Sequence, residues 1–305
     1  MVGFPLSAGA AGYALTDVPA NSWARAYVEQ GVNFDLIGGF LDRTFKPSAT
    51  LTQAQSAVLL CRALALSCST TAGSAWYAQS VASLQTASII RPGDAAFSPE
   101  APMPRGTFAT WIGRALQAIG GVAPQGASAT FKDVAATAQN SALYAAVASK
   151  IISGFPDGTF RPTATLTRAQ VAKMIFSLAK ADTVDPPTAA ELQLVVDSFA
   201  TAYAGLLSGS GSPSALYPYA TAGAVTGPYG ATFGASAFRS QYPYVTSVQV
   251  AAGPLTLVFA GHAIAQATVP ATFTGSALGL QQSEQQLIKV DFLNVGGTWY
   301  ISYFK

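Results

Sequence analysis

The stretch Ser153-Gly-Phe-Pro-Asp-Gly-Thr-Phe-Arg-Pro-Thr-Ala-Thr-Leu-Thr-Arg-Ala-Gln170 has a near-copy upstream. That copy is Gly38-Gly-Phe-Leu-Asp-Arg-Thr-Phe-Lys-Pro-Ser-Ala-Thr-Leu-Thr-Gln-Ala-Gln55, and the two align without a gap. A degenerate third copy reads Pro92-Gly-Asp-Ala-Ala-Phe-Ser-Pro-Glu-Ala-Pro-Met-Pro-Arg-Gly-Thr107. Asp-x-x-Phe-x-Pro cores begin at Asp42, Asp94 and Asp157, offsets of 52 and 63 residues. Repeats at such a period are supersecondary units that share a core with their neighbours.

Each unit reads as helix, turn, helix. An apolar stripe of Ala142, Val147, Ile151 and Ile152 marks the first helix of the last unit. Pro156-Asp-Gly158 is turn chemistry, with glycine supplying positive φ. Thr167 with Gln170 and Thr52 with Gln55 have capping-box spacing, so a second helix begins there. Val171, Met174, Ile175 and Leu178 then form its buried face. One such pair cannot bury its apolar face alone, so the three units are expected to pack into one body.

Working outward, the chain of 305 residues is long enough for two or three domains. Charged residues make up only 10% of it, against about 25% in ordinary soluble proteins. A net charge of +2 argues against nucleic acid. One histidine, His262, and two cysteines exclude a rich zinc, haem or iron–sulfur site, so no metal and no cofactor is expected. Charge is concentrated before residue 188: only 3 Lys+Arg and 4 Asp+Glu follow. The charge-free gaps of the second half are broken by Gly, Pro, Ser, Thr and Gln, so no membrane-spanning helix is expected. Such a surface is either a neutral polar skin or one built to pack on copies of itself.

Cys61 and Cys68 lie about 10 Å apart if both are helical, too far for a disulfide unless the chain unwinds. Two buried thiols are expected. Residues 1–13 read as a leader or arm with no basic n-region: the end of a signal peptide, a mature arm, or a strand lent to a neighbour.

With its Asp17-Val and Asp133-Val openings, Gly-Phe-x-Asp-Gly-x-Phe-x-Pro turn and Thr-Arg-Ala-Gln helix start, the repeat resembles the S-layer homology (SLH) module. The resemblance covers modules at 14–68, 74–121 and 129–181. It implies an all-α, pseudo-threefold trimer of helix-turn-helix repeats with grooves between modules. It also implies non-covalent binding to secondary cell-wall polysaccharide, often pyruvylated and so anionic, which holds secreted proteins on the bacterial surface.

Arg168 and Arg105 stand at helix starts, where a cation opposes the helix dipole. Each is either solvated, paired with an aspartate, or aimed at an anion that would also meet free helix N–H groups; the reading favours the anion. Arg168 is expected to be exposed, so that Arg168→Ala would weaken polymer binding and spare the fold, with Arg105→Ala acting similarly or additively. Gln53 replaces the arginine in the first unit, whose groove is then weakened or borrows Arg43 or Lys46, and Arg91 stands where the other units have Gly39 and Gly154. Trp23 and Trp76 are either sugar platforms or core residues. Asp42 and Asp157 hold turns, accept sugar hydroxyls, or do both, while Asp17 and Asp133 are read as structural. The polysaccharide candidates are thus Arg105, Arg168, Trp23, Trp76, Asp42, Asp157, Gly154 and Gln53, with one or two working grooves expected.

Residues 182–188, with Pro186-Pro187, form a linker. Residues 189–305 read as a small α+β domain: an amphipathic helix through Leu192, Val196, Phe199 and Tyr203, then strands at 245–251, 255–260, 262–273, 285–294 and 298–304. Element order and the final hairpin resemble the cone-shaped nuclear-transport-factor-like (SnoaL-like) fold with its curved antiparallel sheet. The acid–base inventory, His262, Asp197 and Asp291, defines no catalytic constellation, so no enzyme is expected. Tyr217-Pro-Tyr219 and Tyr242-Pro-Tyr244 are read as stiff, extended segments, either an assembly surface or loop residues folded back. The reading is a secreted cell-surface protein anchored to wall polysaccharide, with a C-terminal domain for display or self-assembly. An S-layer or filament subunit and a wall-anchored enzyme are the alternatives.

Overall fold

The computed structural model describes residues 15–40, 42–68, 72–120, 131–226, 231–277 and 280–304. The leader at 1–13 lies outside them. Three helix pairs come first: α1 (Arg25–Asn33) with α2 (Gln53–Ala63), α3 (Ala78–Thr86) with α4 (Arg105–Ala118), and α5 (Ser141–Ala148) with α6 (Arg168–Ala181). The first helix of each pair ends on a non-glycine residue at positive φ, namely Asp35 (53°), Ser88 (57°) and Lys150 (59°). This reversal turns the next two residues inward, and all of Leu36-Ile37, Ile89-Ile90 and Ile151-Ile152 are buried. Ile151 and Ile152 therefore lie past the end of α5 rather than on its stripe. Capping boxes at Thr52/Gln55 and Thr167/Gln170 start α2 and α6 as the sequence predicts.

The segments before α2, α4 and α6 hydrogen-bond in a ring. Leu51 N–H donates to the Leu166 carbonyl (3.4 Å), Leu166 to Met103 (3.1 Å), and Met103 to Leu51 (2.9 Å). The first helical N–H groups follow the same rotation: Gln53 donates to Ala101 (2.9 Å), Arg105 to Ala164 (2.8 Å) and Arg168 to Ala49 (2.8 Å). One apolar cluster containing Phe34, Phe45, Phe108, Phe160 and Ile175 runs through all three pairs.

The cysteine expectation is corrected. Cys61 and Cys68 form a disulfide, with Cα atoms 6.1 Å apart. Helix α2 ends at Ala63 and the chain reverses at Ala65 (φ 52°), which removes the helical rise on which the separation was reckoned.

A capping box at Thr188/Glu191 starts α7 (Ala189–Ser208), which packs against an antiparallel sheet. Between them lie α8 (Ala222–Thr226) and α9 (Ala231–Gln241), which hydrophobic periodicity did not signal. Strands β1 (Val245–Ala252), β2 (Thr256–Ala260), β3 (Ile264–Ala277), β4 (Leu280–Val295) and β5 (Thr298–Phe304) form one sheet in the order β1-β3-β4-β5, with β2 also on β3. The sheet is curved into a half-barrel, and its inner side carries Val248, Phe273, Val290 and Phe292 in the cluster around Phe199 and Tyr203. Tyr217-Pro-Tyr219 and Tyr242-Pro-Tyr244 occupy turns rather than extended segments. Each follows directly on a helical segment, so its first tyrosine continues or closes that helix.

The sheet also meets the helical part. Phe34 lies 5.8 Å from Phe259 of β2, ring centre to ring centre, and Ile264 and Leu293 are buried in the helical cluster. His262 N–H donates to the Asp182 carbonyl (3.0 Å). A Cβ at Gly261 would lie 2.5 Å from that same oxygen, so only glycine allows this approach.

Candidate ligand groove

The helix starts are not vacant anion sites. At α6, Arg168 and Ala169 N–H donate to Ala49 and Pro47 carbonyls, and Gln170 N–H to the Thr167 hydroxyl; α2 does the same toward Ala101, Pro99 and Thr52. The neighbouring unit has consumed the donors that an anion would need.

The arginines are not freely exposed either. Arg105 is only 5% exposed. Its Nε donates to the Phe160 carbonyl (2.9 Å), a second nitrogen donates to Ser153, and the guanidinium lies over the Phe155 and Phe160 rings. Arg168, half-buried, repeats this on the first unit, donating to Phe45 (2.8 Å) and Gly38 (2.6 Å) over Phe40 and Phe45. Burial lowers the pKa of both, with Arg161 adding to the effect on Arg105. Gln53 does the corresponding work on the second unit, its Oε1 accepting from Ser98 N–H (3.0 Å). All three residues clamp the turn of the next unit.

The turn aspartates hold their turns. Asp17 accepts from Phe45 and Lys46 N–H, and Asp133 from Phe160 and Arg161 N–H, at 2.7–2.8 Å. Asp42 and Asp157 each hold a threonine two residues on, and Asp157 also pairs with Arg161 (2.8 Å). These hydrogen bonds depress the pKa of Asp42, Asp133 and Asp157.

One groove brings predicted residues together. Its lining includes Trp23 of the first unit, Arg105 of the second, and Gly154, Phe155, Gln170 and Lys173 of the third, around a volume of about 150 Å³. Trp23 is 60% exposed, which excludes core packing. Gly154 is required because a Cβ would lie 2.3 Å from the Phe131 ring. Lys173, which the sequence reading missed, is half-buried beside the Tyr27 ring (5.7 Å) and meets no carboxylate within 4 Å among the described residues. Its only signal was to stand where the other units carry Val58 and Thr110.

A larger groove of about 550 Å³ between the second and third units includes Asp94, Thr107, Thr110, Trp111, Arg114 and Asn140. Here Arg114 grips Asp94 with two hydrogen bonds (2.6 and 2.8 Å), so its charge is answered within the protein. Gln139, two residues before α5 as Trp23 is two residues before α1, stands where Trp23 stands in the other groove. Trp76, the counterpart of Trp23 on the second unit, is 50% exposed and meets Tyr77 edge-on. The grooves are unequal.

Asp42, Gln53, Asp157, Arg168 and Trp76 do not converge on the Trp23 groove. The tyrosine pairs serve different places: Tyr242 packs on Phe238 and Tyr244, while Tyr217 lines a cleft with Arg62 and Asn294, and Tyr219 receives Ile301 N–H on its carbonyl. The half-barrel interior is lined by apolar side chains and Tyr203, with no carboxylate among its lining residues. No helix among the described residues is long and apolar enough to cross a membrane, and no cluster among them has the ligands for a metal ion.

The S-layer homology domain family matches residues 14–57 and 130–172. The chain thus carries SLH domains, which mark a protein of the cell surface or cell wall, on the extracellular side. No curated protein matches the chain.

Proposed function

We propose that residues 14–181 act as three SLH modules about a pseudo-threefold axis and hold a secreted bacterial protein non-covalently on secondary cell-wall polysaccharide. The ring of hydrogen bonds joining Leu51, Met103 and Leu166 supports the threefold arrangement. The observation that carries the binding role is an exposed Trp23 and, in the same groove, a Lys173 cation that meets no carboxylate among the described residues. An aromatic face suits the apolar side of a sugar ring, and an ammonium suits a carboxylate such as a pyruvate ketal. Arg105 forms the rigid floor that places the turn. The C-terminal half-barrel, read as nuclear-transport-factor-like, serves display or self-assembly rather than catalysis, in keeping with its apolar interior.

The test is binding of the full chain to extracted wall polysaccharide, before and after chemical removal of its ketal groups. Trp23→Ala and Lys173→Ala should each weaken binding about tenfold, roughly 1.4 kcal/mol, and only the Trp23 effect should persist on the ketal-free polymer. Unchanged affinity in both variants would reject the groove.

A further inference from the structure

The hairpin of β3 and β4 outruns the sheet it belongs to. Strand β4 pairs with β3 from Leu280, opposite Ala277, to Leu293, opposite Ile264, with no register shift. Strand β5 covers the other side of β4 only from Val290 onward. Leu280–Lys289 therefore turn a row of N–H and C=O groups toward no strand among the described residues.

Proteins blunt such edges with lysine, proline, a bulge, short length or a cover. This edge runs ten residues with no proline and no bulge. Its lysine, Lys289, sits at the far end and points to Asp291 (3.7 Å), leaving Glu284 as the one other charge. Leu280 and Leu287 are 73% and 69% exposed. Among the described residues no proline, bulge or covering strand protects this edge, and its one lysine is turned to Asp291, which makes it a pairing surface.

The edge is complementary to itself. Gln281, Gln282, Gln285 and Gln286 each carry a donor and an acceptor, as does Ser283. Two identical strands pair antiparallel about an axis perpendicular to the sheet, so a residue must fall opposite its own copy. Centring on Ser283 sets Gln282 opposite Glu284, Gln281 opposite Gln285, and Leu280 opposite Gln286. Centring on Glu284 opposes two carboxylates, which is destabilising. Centring on Gln285 sets Leu280 opposite Val290, whose edge β5 already occupies.

We infer that the chain dimerises by antiparallel pairing of Leu280–Gln286 with the same segment of a second copy, centred on Ser283, so that one sheet runs across both molecules. This deepens the self-assembly role proposed for the C-terminal domain and does not depend on the groove. A single strand pair buries less than the roughly 1,200 Å² of a stable interface, so the free protein associates at micromolar affinity or weaker. Confinement on a wall raises the effective concentration toward about millimolar, where such a contact is occupied.

Sedimentation of the full chain from about 1 to about 500 µM spans that affinity. The mean mass should rise toward a dimer for the wild type and stay monomeric for Ser283→Lys, which sets two ammonium groups face to face. Under mild oxidation Ser283→Cys should give a disulfide dimer. Gln281→Cys, whose copy lies four residues away across the pair, should not. A wild type that stays monomeric throughout, a Ser283→Lys variant that still dimerises, or equal cross-linking of the two cysteine variants would overturn the inference. Polysaccharide binding of Ser283→Lys, measured alongside, should equal wild type; its loss of dimer with binding intact separates this surface from the groove.

Discussion

At the scale of single residues, Arg105 and Arg168 show how a locally poor choice is repaid across a module boundary. A cation at the first position of a helix opposes the dipole. Each arginine nevertheless joins two carbonyls of the neighbouring turn and covers two phenylalanine rings, which a compact ammonium cannot do at once. Arg168→Ala leaves the Phe45 and Gly38 carbonyls without their charged donor. That should cost about 2 kcal/mol, with water replacing part of the loss at this half-buried site. Calorimetry should show Tm lower by roughly 4–8 °C, and Arg168→Lys should recover less than half of it. Trp23→Ala and Lys173→Ala should leave Tm within about 1 °C, since neither side chain holds another element in place. The contrast separates the residues that build the groove from those that meet a ligand. An unchanged Tm for Arg168→Ala would return that arginine to the ligand-binding set.

At the scale of elements, what the sequence disclosed was whatever is written in local chemistry. Thr52/Gln55 and Thr167/Gln170 are short-range motifs with one structural meaning, and both boxes form. The helix face at Val171, Met174, Ile175 and Leu178 is buried throughout, and the five strands fall close to their expected places. The reversals at Asp35, Ser88 and Lys150 were illegible because none is glycine; packing of the two apolar residues that follow imposes the left-handed conformation. In the site, Trp23 and Gly154 were legible as types, but that Arg105 and Arg168 bond inward depends on contacts between units distant in sequence. The disulfide has the same origin, since the reversal at Ala65 is what brings Cys68 back to Cys61. Closing so short a loop should contribute about 2.5 kcal/mol. Cys61→Ser, or reduction of the wild type, should lower the unfolding free energy by that amount in denaturant titrations. The buried Ala54, Ala57 and Leu60 face of α2 should keep the helix folded. A reduced protein as stable as the oxidised one would mean that packing alone fixes the end of α2.

At the scale of the whole molecule, the buried Asp182 and Asp291 and the half-buried Asp35 lie where the helical part meets the half-barrel, and desolvation raises the pKa of each. Asp35 is opposed by Arg62 and by a hydrogen bond from Thr221, and Asp182 by the Val184 N–H and by His262. Asp291 is raised to about 6 against the pull of Lys289 and Gln266, and it faces Tyr303, which also feels Glu29 of α1. A carboxyl whose folded pKa lies above its unfolded value favours the folded state most when protonated. Stability from these groups is thus fullest below about pH 4 and falls as pH rises; for Asp291 the fall is complete once pH passes about 6. The turn carboxylates Asp42, Asp94, Asp133 and Asp157 work in the opposite sense, being depressed, and lose their contribution only as pH drops below the unfolded value of 3.8. The α7 cap Glu191, also depressed, loses its contribution below its unfolded value of 4.5, so Asp291 is read most cleanly between about pH 4.5 and 6. For Asp291, fully buried, the change is on the order of 2–3 kcal/mol across that window. Calorimetry of the full chain should find Tm higher at pH 4.5 than at pH 7. Asp291→Asn, which cannot ionise, should remove Asp291's share of that slope while keeping the bond partner Gln266. A slope unchanged in Asp291→Asn would place the titration at Asp35 or Asp182 instead, and a Tm that rises with pH through this window would show that the seam holds its carboxylates ionised.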